Sequence, residues 1–319
     1  MSDRASFPSR VLALGVAACL ALGGCGSDSG SGSGALAGQG IQHVLLISID
    51  GLHQQDLTNC VSAGTCPNMA ALAHTGVTYT GANTPGLSDS VPGLAALLTG
   101  GSPKSTGLFY DDIYDRTLYS GTDIGCSGTQ GVEVFLQEQV GIDGYNGGAL
   151  AHLDGGGDFN PQQLPRRKTA SGDCVPVYPH DVIQTNTVFE VIRQNLAGAY
   201  TAWADKHAWG TDWLNGPSGT GVMDLARTEI NADFNTARGQ SPAAGYDFTH
   251  TTAQTQVFDH YHTQILLNQI DGLDSTGVVS AAMGGTAKSN QIPVPTLFGT
   301  NYQTLSVAQK ALKIGRAHV

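Results

Sequence analysis

The sequence predicts an α/β fold in which a mainly parallel central sheet is flanked by helices. The first observation is a nearly continuous apolar run at 41–49, rich in Ile and Val, which is typical of a buried parallel strand rather than an amphipathic edge. The second is that strand-like and helix-like patterns alternate along the rest of the chain, as in consecutive βαβ units. No internal repeat and no second domain interrupts this alternation.

The elements are placed by local signals. A helix is predicted where apolar residues recur at helical spacing, with Pro near its start or Gly after its end, and a strand where a short run is rich in β-branched or aromatic residues. By these signals the helices lie at 67–74, 90–99, 186–195 and 255–270, and the strands at 41–50, 76–80, 107–114, 199–204 and 294–299. Residues 120–185, rich in Gly, Asp, Asn and Pro, are predicted to form a long ordered insertion over the core.

The charge balance argues against nucleic-acid binding. The 319-residue chain carries 15 Lys and Arg against 26 Asp and Glu, a formal net charge of −11, and no basic stripe is visible along it. A protein that neutralises backbone phosphates needs such a stripe, so we expect no nucleic-acid partner. The 43 glycines show no triplet period, which excludes collagen, and no apolar run is long enough to predict a membrane-spanning helix.

Residues 1–25 are predicted to be a lipoprotein signal peptide. Two arginines supply its positive region, and 11–22 supply a short apolar stretch. The closing Leu-Gly-Gly-Cys resembles the bacterial lipobox, in which the cysteine, here Cys25, is diacylated and becomes the new N-terminus. Residues 26–40 form a Gly/Ser linker, so we expect a lipid-anchored, periplasmic or outer-membrane protein of the bacterial cell envelope. Plain secretion with cleavage nearby is the alternative.

Cysteine usage agrees with export. Outside the signal peptide the cysteines are Cys60, Cys66, Cys126 and Cys174, and an even number in an exported chain indicates two disulfides. Four cysteines allow three pairings, of which we favour the local one, Cys60 with Cys66 and Cys126 with Cys174. A structural zinc site would need two close cysteine pairs, which the sequence lacks.

The last six residues, 314–319, resemble the translation of a common sequencing adapter. The sequence therefore predicts that the natural chain is interrupted near Lys313, and that the domain occupying 41–313 lacks its C-terminal part. A genuine basic tail is the alternative.

Two polar residues stand where the predicted elements favour chemistry. Asp50 ends the first strand, and ligands of open parallel sheets gather beyond the carboxyl ends of the strands. A carboxylate there suits a hard or borderline divalent metal. Ser90 begins the helix 90–99, where its hydroxyl lies at the positive end of the helix dipole beside unpaired backbone N–H groups. Such a helix start stabilises an anionic oxygen. The alternatives are a turn-forming Asp and a plain N-cap Ser.

Three segments resemble the N-terminal part of the alkaline phosphatase superfamily, specifically its type I phosphodiesterase/nucleotide pyrophosphatase branch. They are VLLISIDGL at 44–52, PNMAALAHTGVTYTGANTP at 67–85 and SDSVPGLAALLTGGSPKSTGLFYDDIYD at 88–115. The resemblance extends more loosely through 186–207. It implies an alkaline-phosphatase-like fold and an enzyme that hydrolyses a small-molecule phosphate ester, either a phosphodiester or a pyrophosphate.

The resemblance also implies roles for individual residues. Asp50 would ligate one of two divalent metal ions, usually zinc in this family, and Ser90 would be the metal-bound nucleophile that forms a phosphoserine intermediate. Gly93 stands where the phosphodiesterase branch usually has an Asn that touches the phosphate, so it is predicted to line the substrate site. Leu94 stands where the sulfatase branch has an Arg needed for conversion of the nucleophile to formylglycine, so we expect Ser90 to stay unmodified.

Two further residues follow a predicted strand at the same end of the sheet as Asp50. Asp205 and His207 are predicted to line the pocket there, and a surface turn is the alternative. The segment 259–262 begins with Asp259 and carries His260 and His262 at i,i+2, on different helix faces, so it is interpreted as a solvated helix surface, with a metal role as the alternative.

The later part of the chain departs from the family pattern. The strand at 295–299 is followed by Asn301 and Gln303 and by no histidine, which predicts an altered metal half-site. The remaining ligands of the family would lie beyond Lys313, so we expect the second metal site to be incomplete and the chain as given to be inactive.

Two rival functions stay open. The first is a sulfatase or phosphonate hydrolase on the same fold. The second is a non-catalytic envelope binding protein that kept the fold and lost its metals.

Replacement of the lipobox cysteine tests the predicted anchor. We expect Cys25→Ser to release the protein from membranes into the soluble fraction, because the acylated thiol is lost, whereas Cys19→Ser within the apolar stretch leaves it membrane-bound. Membrane fractionation followed by immunoblotting measures this. Retention of Cys25→Ser in membranes would refute lipidation at this residue.

Overall fold

The computed structural model describes residues 40–87, 89–135, 164–206, 210–228, 230, 248–249, 251–282 and 286–312. The chain divides into two compact units, Met1–Gly40 and Ile41–Val319, and the fold described below belongs to the second. Of the helices in these ranges, none has both the length and the apolar character required to cross a membrane.

Strands and helices alternate through most of the described chain. The strands are β1 (Val44–Ile49), β2 (Asp112–Asp115), β3 (Val132–Phe135), β4 (Arg166–Lys168), β5 (Cys174–Pro176), β6 (Ala202–Lys206), β7 (Asp224–Thr228) and β8 (Leu297–Tyr302). The helices are α1 (Gln54–Ala63), α2 (Pro67–Thr75), α3 (Ser90–Thr99), α4 (Pro103–Thr106), α5 (Pro179–Val182), α6 (Val188–Asn195), α7 (Thr252–Ile270), α8 (Thr276–Ala282) and α9 (Thr304–Leu312), with a 3-10 helix at Gly210–Asn215.

The central sheet is parallel, with the strand order β1-β8-β6-β7. This architecture confirms the α/β fold with a mainly parallel sheet flanked by helices. Two antiparallel pairs, β2 with β3 and β4 with β5, stand apart from it. The long β1–β8 pairing runs from Val44 opposite Leu297 to Ile49 opposite Tyr302, so the two strands end side by side.

The hydrophobic core lies on both faces of this sheet. On one face Trp203 of β6 packs edge-on against Phe189 of α6, with ring centroids 5.7 Å apart. On the other face Ala204 packs with Ile265 of the long helix α7. Because successive side chains of a strand point to opposite faces, β6 contributes to both layers and is buried along most of its length.

The prediction that the first strand is buried is wrong. Val44, Leu45 and Ile47 of β1 are each nearly half exposed, at 46%, 45% and 47%. Within the described ranges β1 pairs only with β8, which makes it the edge of the sheet and leaves both of its faces partly uncovered. The segment predicted as a strand at 76–80 is irregular in the structure, and it pairs with no strand among the described residues.

Other differences concern boundaries and missed elements. The strand predicted at 107–114 is displaced to β2, whose limits are set by its antiparallel pairing with β3. Sequence patterns missed α1 and β7, since neither carries a strong apolar period, and α1 buries none of its residues. The remaining predicted helices and central strands agree with the structure to within a few residues at each end.

Both predicted disulfides are present. Cys60 pairs with Cys66 across the α1–α2 turn, and Cys126 pairs with Cys174 at the start of β5, each with Cα atoms 5.5 Å apart. The second bridge joins residues 48 positions apart, so it fixes the described parts of the predicted insertion to one another. Residues 136–163 of that insertion lie outside the described residues.

His262 of α7 is a buried histidine with one satisfied ring nitrogen, contrary to its interpretation as a surface residue. The Thr300 hydroxyl donates to the Ala204 carbonyl, so it accepts a hydrogen bond from His262 Nδ1 at 3.1 Å. The other nitrogen, Nε2, is buried without a partner in the described structure. Burial lowers the pKa of His262 to about 3, because a proton on Nε2 would add a charge that nothing nearby accepts.

This histidine predicts a pH dependence of stability. Its folded pKa lies below the ordinary value of 6.5, so its stabilising contribution is complete above pH 6.5 and is lost as the pH falls toward 3. We expect the free energy of unfolding of the wild type to fall across that window by up to about 1.4 kcal/mol per pH unit relative to His262→Asn. Urea unfolding followed by circular dichroism measures the difference. Equal slopes for the two proteins would contradict it, and His260→Asn, at an exposed position of the same helix, is the matched control.

Candidate active site

The ends of three strands bring polar side chains to one edge of the sheet. Asp50 directly follows β1, Lys206 is the last residue of β6, and Gln303 directly follows β8. Because these strands are parallel and adjacent, their carboxyl ends open at the same edge. The candidate active site lies there.

Asp50 is held by the chain turn that follows β1. Its backbone N–H donates to the Tyr302 carbonyl at 2.9 Å, which continues the β1–β8 pairing by one residue. Gly51 then turns the chain with a positive φ of 79°. A Cβ at Gly51 would lie 2.9 Å from Ser306 Cα, so only glycine allows α9 to pack this closely against the turn.

Ser90 is the first residue of α3, but it does not cap that helix. The N-cap is Asp89, whose carboxylate accepts the Val91 N–H at 2.9 Å. The Ser90 hydroxyl is therefore available, and it donates to Asp50 Oδ2 at 3.0 Å. This corrects the expectation of unpaired N–H groups around Ser90, since Asp89 has taken the Val91 group. Burial and the neighbouring charge of Asp111 raise the pKa of Asp89 to about 6.

Lys206 completes the cluster, and sequence analysis missed it. Its ammonium donates to Asp50 Oδ2 at 3.0 Å and to Gln303 Oε1 at 2.8 Å. The side chains of Lys206 and Asp50 are only 12% and 16% exposed, so this ion pair is largely desolvated. The lysine's neighbours Asp205 and His207 are predicted to line the pocket, but their position alone does not indicate which residue of the strand end faces Asp50.

The charge of Asp50 follows from these contacts. Burial raises the pKa of this carboxyl group, but the positive charge of Lys206 and the hydrogen bonds from Lys206 and Ser90 outweigh the burial. The net effect holds the pKa below its ordinary value of 3.8, so Asp50 is ionised at neutral pH.

Asp205 has a supporting place beside this cluster. Its carboxylate is buried and accepts hydrogen bonds from Trp203 Nε1 at 2.9 Å, the Lys206 backbone N–H at 2.8 Å and Asn301 Nδ2 at 3.3 Å. Burial raises its pKa. The structure thus places Asp205 beneath the ends of β6 and β8, where it holds the strand carrying Lys206. His207 lies outside the described residues.

Asp259 holds the Gln303 turn in place. Its two carboxylate oxygens accept the backbone N–H groups of Gln303 and Thr304, each at 2.9 Å, which caps the start of α9. Burial raises the pKa of Asp259. Its interpretation as a solvated surface residue is therefore wrong, because both of its carboxylate oxygens accept hydrogen bonds from the turn that contains Gln303.

Gly93 faces open space. A Cβ built at this position meets no other atom within 4 Å, so the first turn of α3 leaves room beside Ser90 for a ligand or for a larger side chain. Leu94, by contrast, is buried in the core and points away from such a space.

The donors at this site do not by themselves complete a metal centre. In the part of the chain that the structure describes, no group of three or more His, Cys, Asp and Glu side chains could hold a metal ion. Asp50 and Ser90 supply two oxygen donors, and the Lys206 ammonium already lies on the same Asp50 oxygen as the Ser90 hydroxyl. A divalent ion placed there would meet a positive charge at close range.

Comparison with known proteins supports one family. The sequence model of the family described as type I phosphodiesterase / nucleotide pyrophosphatase matches residues 44–127, from β1 to just beyond Cys126. None of the curated proteins and none of the solved structures matches the chain. The matched segment contains Asp50, Ser90 and Gly93, and the family is typically metal-dependent. Residues 44–127 are therefore similar to the type I phosphodiesterase / nucleotide pyrophosphatase family, and this match supports that branch of the alkaline phosphatase superfamily.

Proposed function

We propose that this protein hydrolyses a small-molecule phosphodiester or pyrophosphate, with Ser90 as its nucleophile. The observation that carries the proposal is the hydrogen bond from Ser90 Oγ to Asp50 Oδ2, at 3.0 Å, at the carboxyl edge of a parallel sheet. A serine at a helix start is ordinarily a cap, but Asp89 fills that role here and leaves the Ser90 hydroxyl to an acidic partner. The match of residues 44–127 to a phosphodiesterase family supports the same reaction class.

The proposed chemistry proceeds in two balanced steps. Ser90 Oγ bonds to phosphorus while the bond from phosphorus to the leaving oxygen breaks, and the hydroxyl proton passes to Asp50 Oδ2, to which it is already hydrogen-bonded. The leaving oxygen takes a proton from water. In the second step water attacks the phosphoserine and releases one proton to the solvent, the Ser90 oxygen leaves phosphorus and recovers the proton from Asp50, and the phosphate product departs.

Members of this family typically depend on metal ions. Two divalent ions, usually zinc, are implied by the resemblance, and Asp50 with Ser90 would supply oxygen ligands to one of them. The described side chains do not complete either site, so no step above depends on a metal. The Lys206 ammonium also lies on the Asp50 oxygen that such an ion would need, so the described residues do not fit a zinc ion beside Asp50.

Of the two alternative functions, the sulfatase hypothesis has the weaker support. Leu94, at the position of the sulfatase arginine, is 8% exposed and belongs to the main hydrophobic cluster, so that position cannot recognise a sulfate. The other rival, a binding protein that lost its metals, is compatible with the donor set among the described residues, which completes no metal site. We also propose that the mature protein is anchored in the bacterial envelope through Cys25, which lies outside the described residues.

Removal of the Ser90 hydroxyl tests the nucleophile. We expect Ser90→Ala in the full-length protein to lower kcat on bis(p-nitrophenyl) phosphate by at least about a thousandfold, because the oxygen that forms the covalent intermediate is removed. The free energy of unfolding should fall by no more than about 3 kcal/mol, since one hydrogen bond to a charged carboxylate is lost. Steady-state kinetics and urea unfolding give the two measurements.

The matched control is Ser102→Ala, because Ser102 is likewise a serine at a helix start, directly before α4, and is exposed and makes no side-chain cap. It should keep wild-type turnover. Normal turnover in Ser90→Ala would rule out the nucleophile. Faster cleavage of p-nitrophenyl sulfate than of either phosphate ester by the wild type would favour the sulfatase, and absence of turnover on all three substrates would favour the binding protein.

A further inference from the structure

Lys206 is placed by contacts that leave its ammonium little freedom. One N–H donates to Asp50 Oδ2 and another to Gln303 Oε1, at 3.0 and 2.8 Å. An ammonium group has three N–H donors, so these contacts among the described residues leave one donor to offer to a ligand. The side chain keeps 12% of its surface exposed, so the lysine is not fully enclosed by the described residues.

The oxygen of Gln303 is itself aimed at the lysine. The Gln303 amide nitrogen donates to the backbone carbonyls of Asn301 and Tyr302, each at 3.3 Å, so the amide oxygen is the end that faces Lys206. The Gln303 backbone is fixed by Asp259, through an N–H to carboxylate hydrogen bond of 2.9 Å. The ammonium is therefore held in place before any substrate arrives, and this lowers the ordering cost of binding.

The hydroxyl and the ammonium share one acceptor. Ser90 Oγ and Lys206 Nζ both lie 3.0 Å from Asp50 Oδ2, so the two groups are neighbours around a single oxygen. Two atoms that each lie 3.0 Å from the same oxygen are at most twice that distance apart, so a phosphoryl group bonded to Ser90 Oγ can bring a non-bridging oxygen within reach of the ammonium. An ammonium in a largely desolvated place binds phosphate oxygens strongly, as a point charge with hydrogen-bond donors.

We propose that Lys206 is a catalytic residue of this centre, and that its ammonium binds the non-bridging oxygens of the phosphoryl group transferred to Ser90. The proposal rests on the proposed function and names the group that holds the anion. In this arrangement Lys206 occupies the place beside Asp50 that the resemblance gives to a metal ion, and it supplies the positive charge there. The competing explanation is a purely structural ion pair that ties the end of β6 to the end of β1.

Binding of inorganic phosphate separates these explanations. We expect isothermal titration calorimetry on the wild type, after dialysis against a chelator, to show phosphate binding that weakens at least about tenfold in Lys206→Gln and less in Lys206→Arg, which keeps the charge. Lys168→Gln, at an exposed position of β4, is the matched control and should bind phosphate as the wild type does. Unchanged affinity in Lys206→Gln, or loss of wild-type binding after chelation, would overturn the proposal.

A second measurement on the unmutated protein covers the case in which Lys206→Gln does not fold. Acetylation of lysines by an activated ester, read by peptide mass spectrometry, should be slowed at Lys206 by phosphate and be unchanged at Lys168. Equal protection of both lysines, or of neither, would contradict the assignment. The proposed function fails separately: a wild type that binds phosphate through Lys206 but cleaves no phosphate ester would refute the reaction and leave the anion site standing.

Discussion

A single carboxylate oxygen joins the parts of this site. Asp50 Oδ2 accepts hydrogen bonds from the Ser90 hydroxyl and from the Lys206 ammonium, which come from the start of α3 and the end of β6. These elements are far apart in the sequence and meet because parallel strands present their carboxyl ends along one edge. Without the charge on Asp50, the hydroxyl would lose its proton acceptor and the ammonium its counter-charge in a largely desolvated place.

Two other carboxylates make the helix-capping hydrogen bonds, so the functional side chains are available for other contacts. Asp89 caps α3, so that the Ser90 hydroxyl can face Asp50, and Asp259 caps α9, so that the turn carrying Gln303 is fixed from behind. Each satisfies backbone N–H groups that a helix start would otherwise leave unpaired. The reactive groups thus rest on capped helix ends, which restrict their motion more than a free loop would.

The pairing of Asp50 with Ser90 could be predicted from sequence through the family resemblance, whereas a strand end and a helix start alone leave a turn-forming Asp and an N-cap Ser as alternatives. Lys206 could not, since adjacent strand residues point to opposite faces and the choice between Asp205 and Lys206 needs the register of β6 against β8. The exposure of β1 could not be predicted from the sequence either, because an apolar run indicates a strand but does not indicate which elements pack against that strand. Both disulfides were predictable, since local pairing closes the shortest loops.

The most direct test of this account is to trap the covalent intermediate. Wild-type protein mixed rapidly with excess bis(p-nitrophenyl) phosphate and quenched in acid should yield a peptide that carries a phosphoryl adduct on Ser90, identified by fragmentation mass spectrometry. The account predicts this adduct at Ser90, formed at least as fast as product appears. Product formation with no adduct, or an adduct on any other residue, would contradict the assignment of Ser90 as the nucleophile.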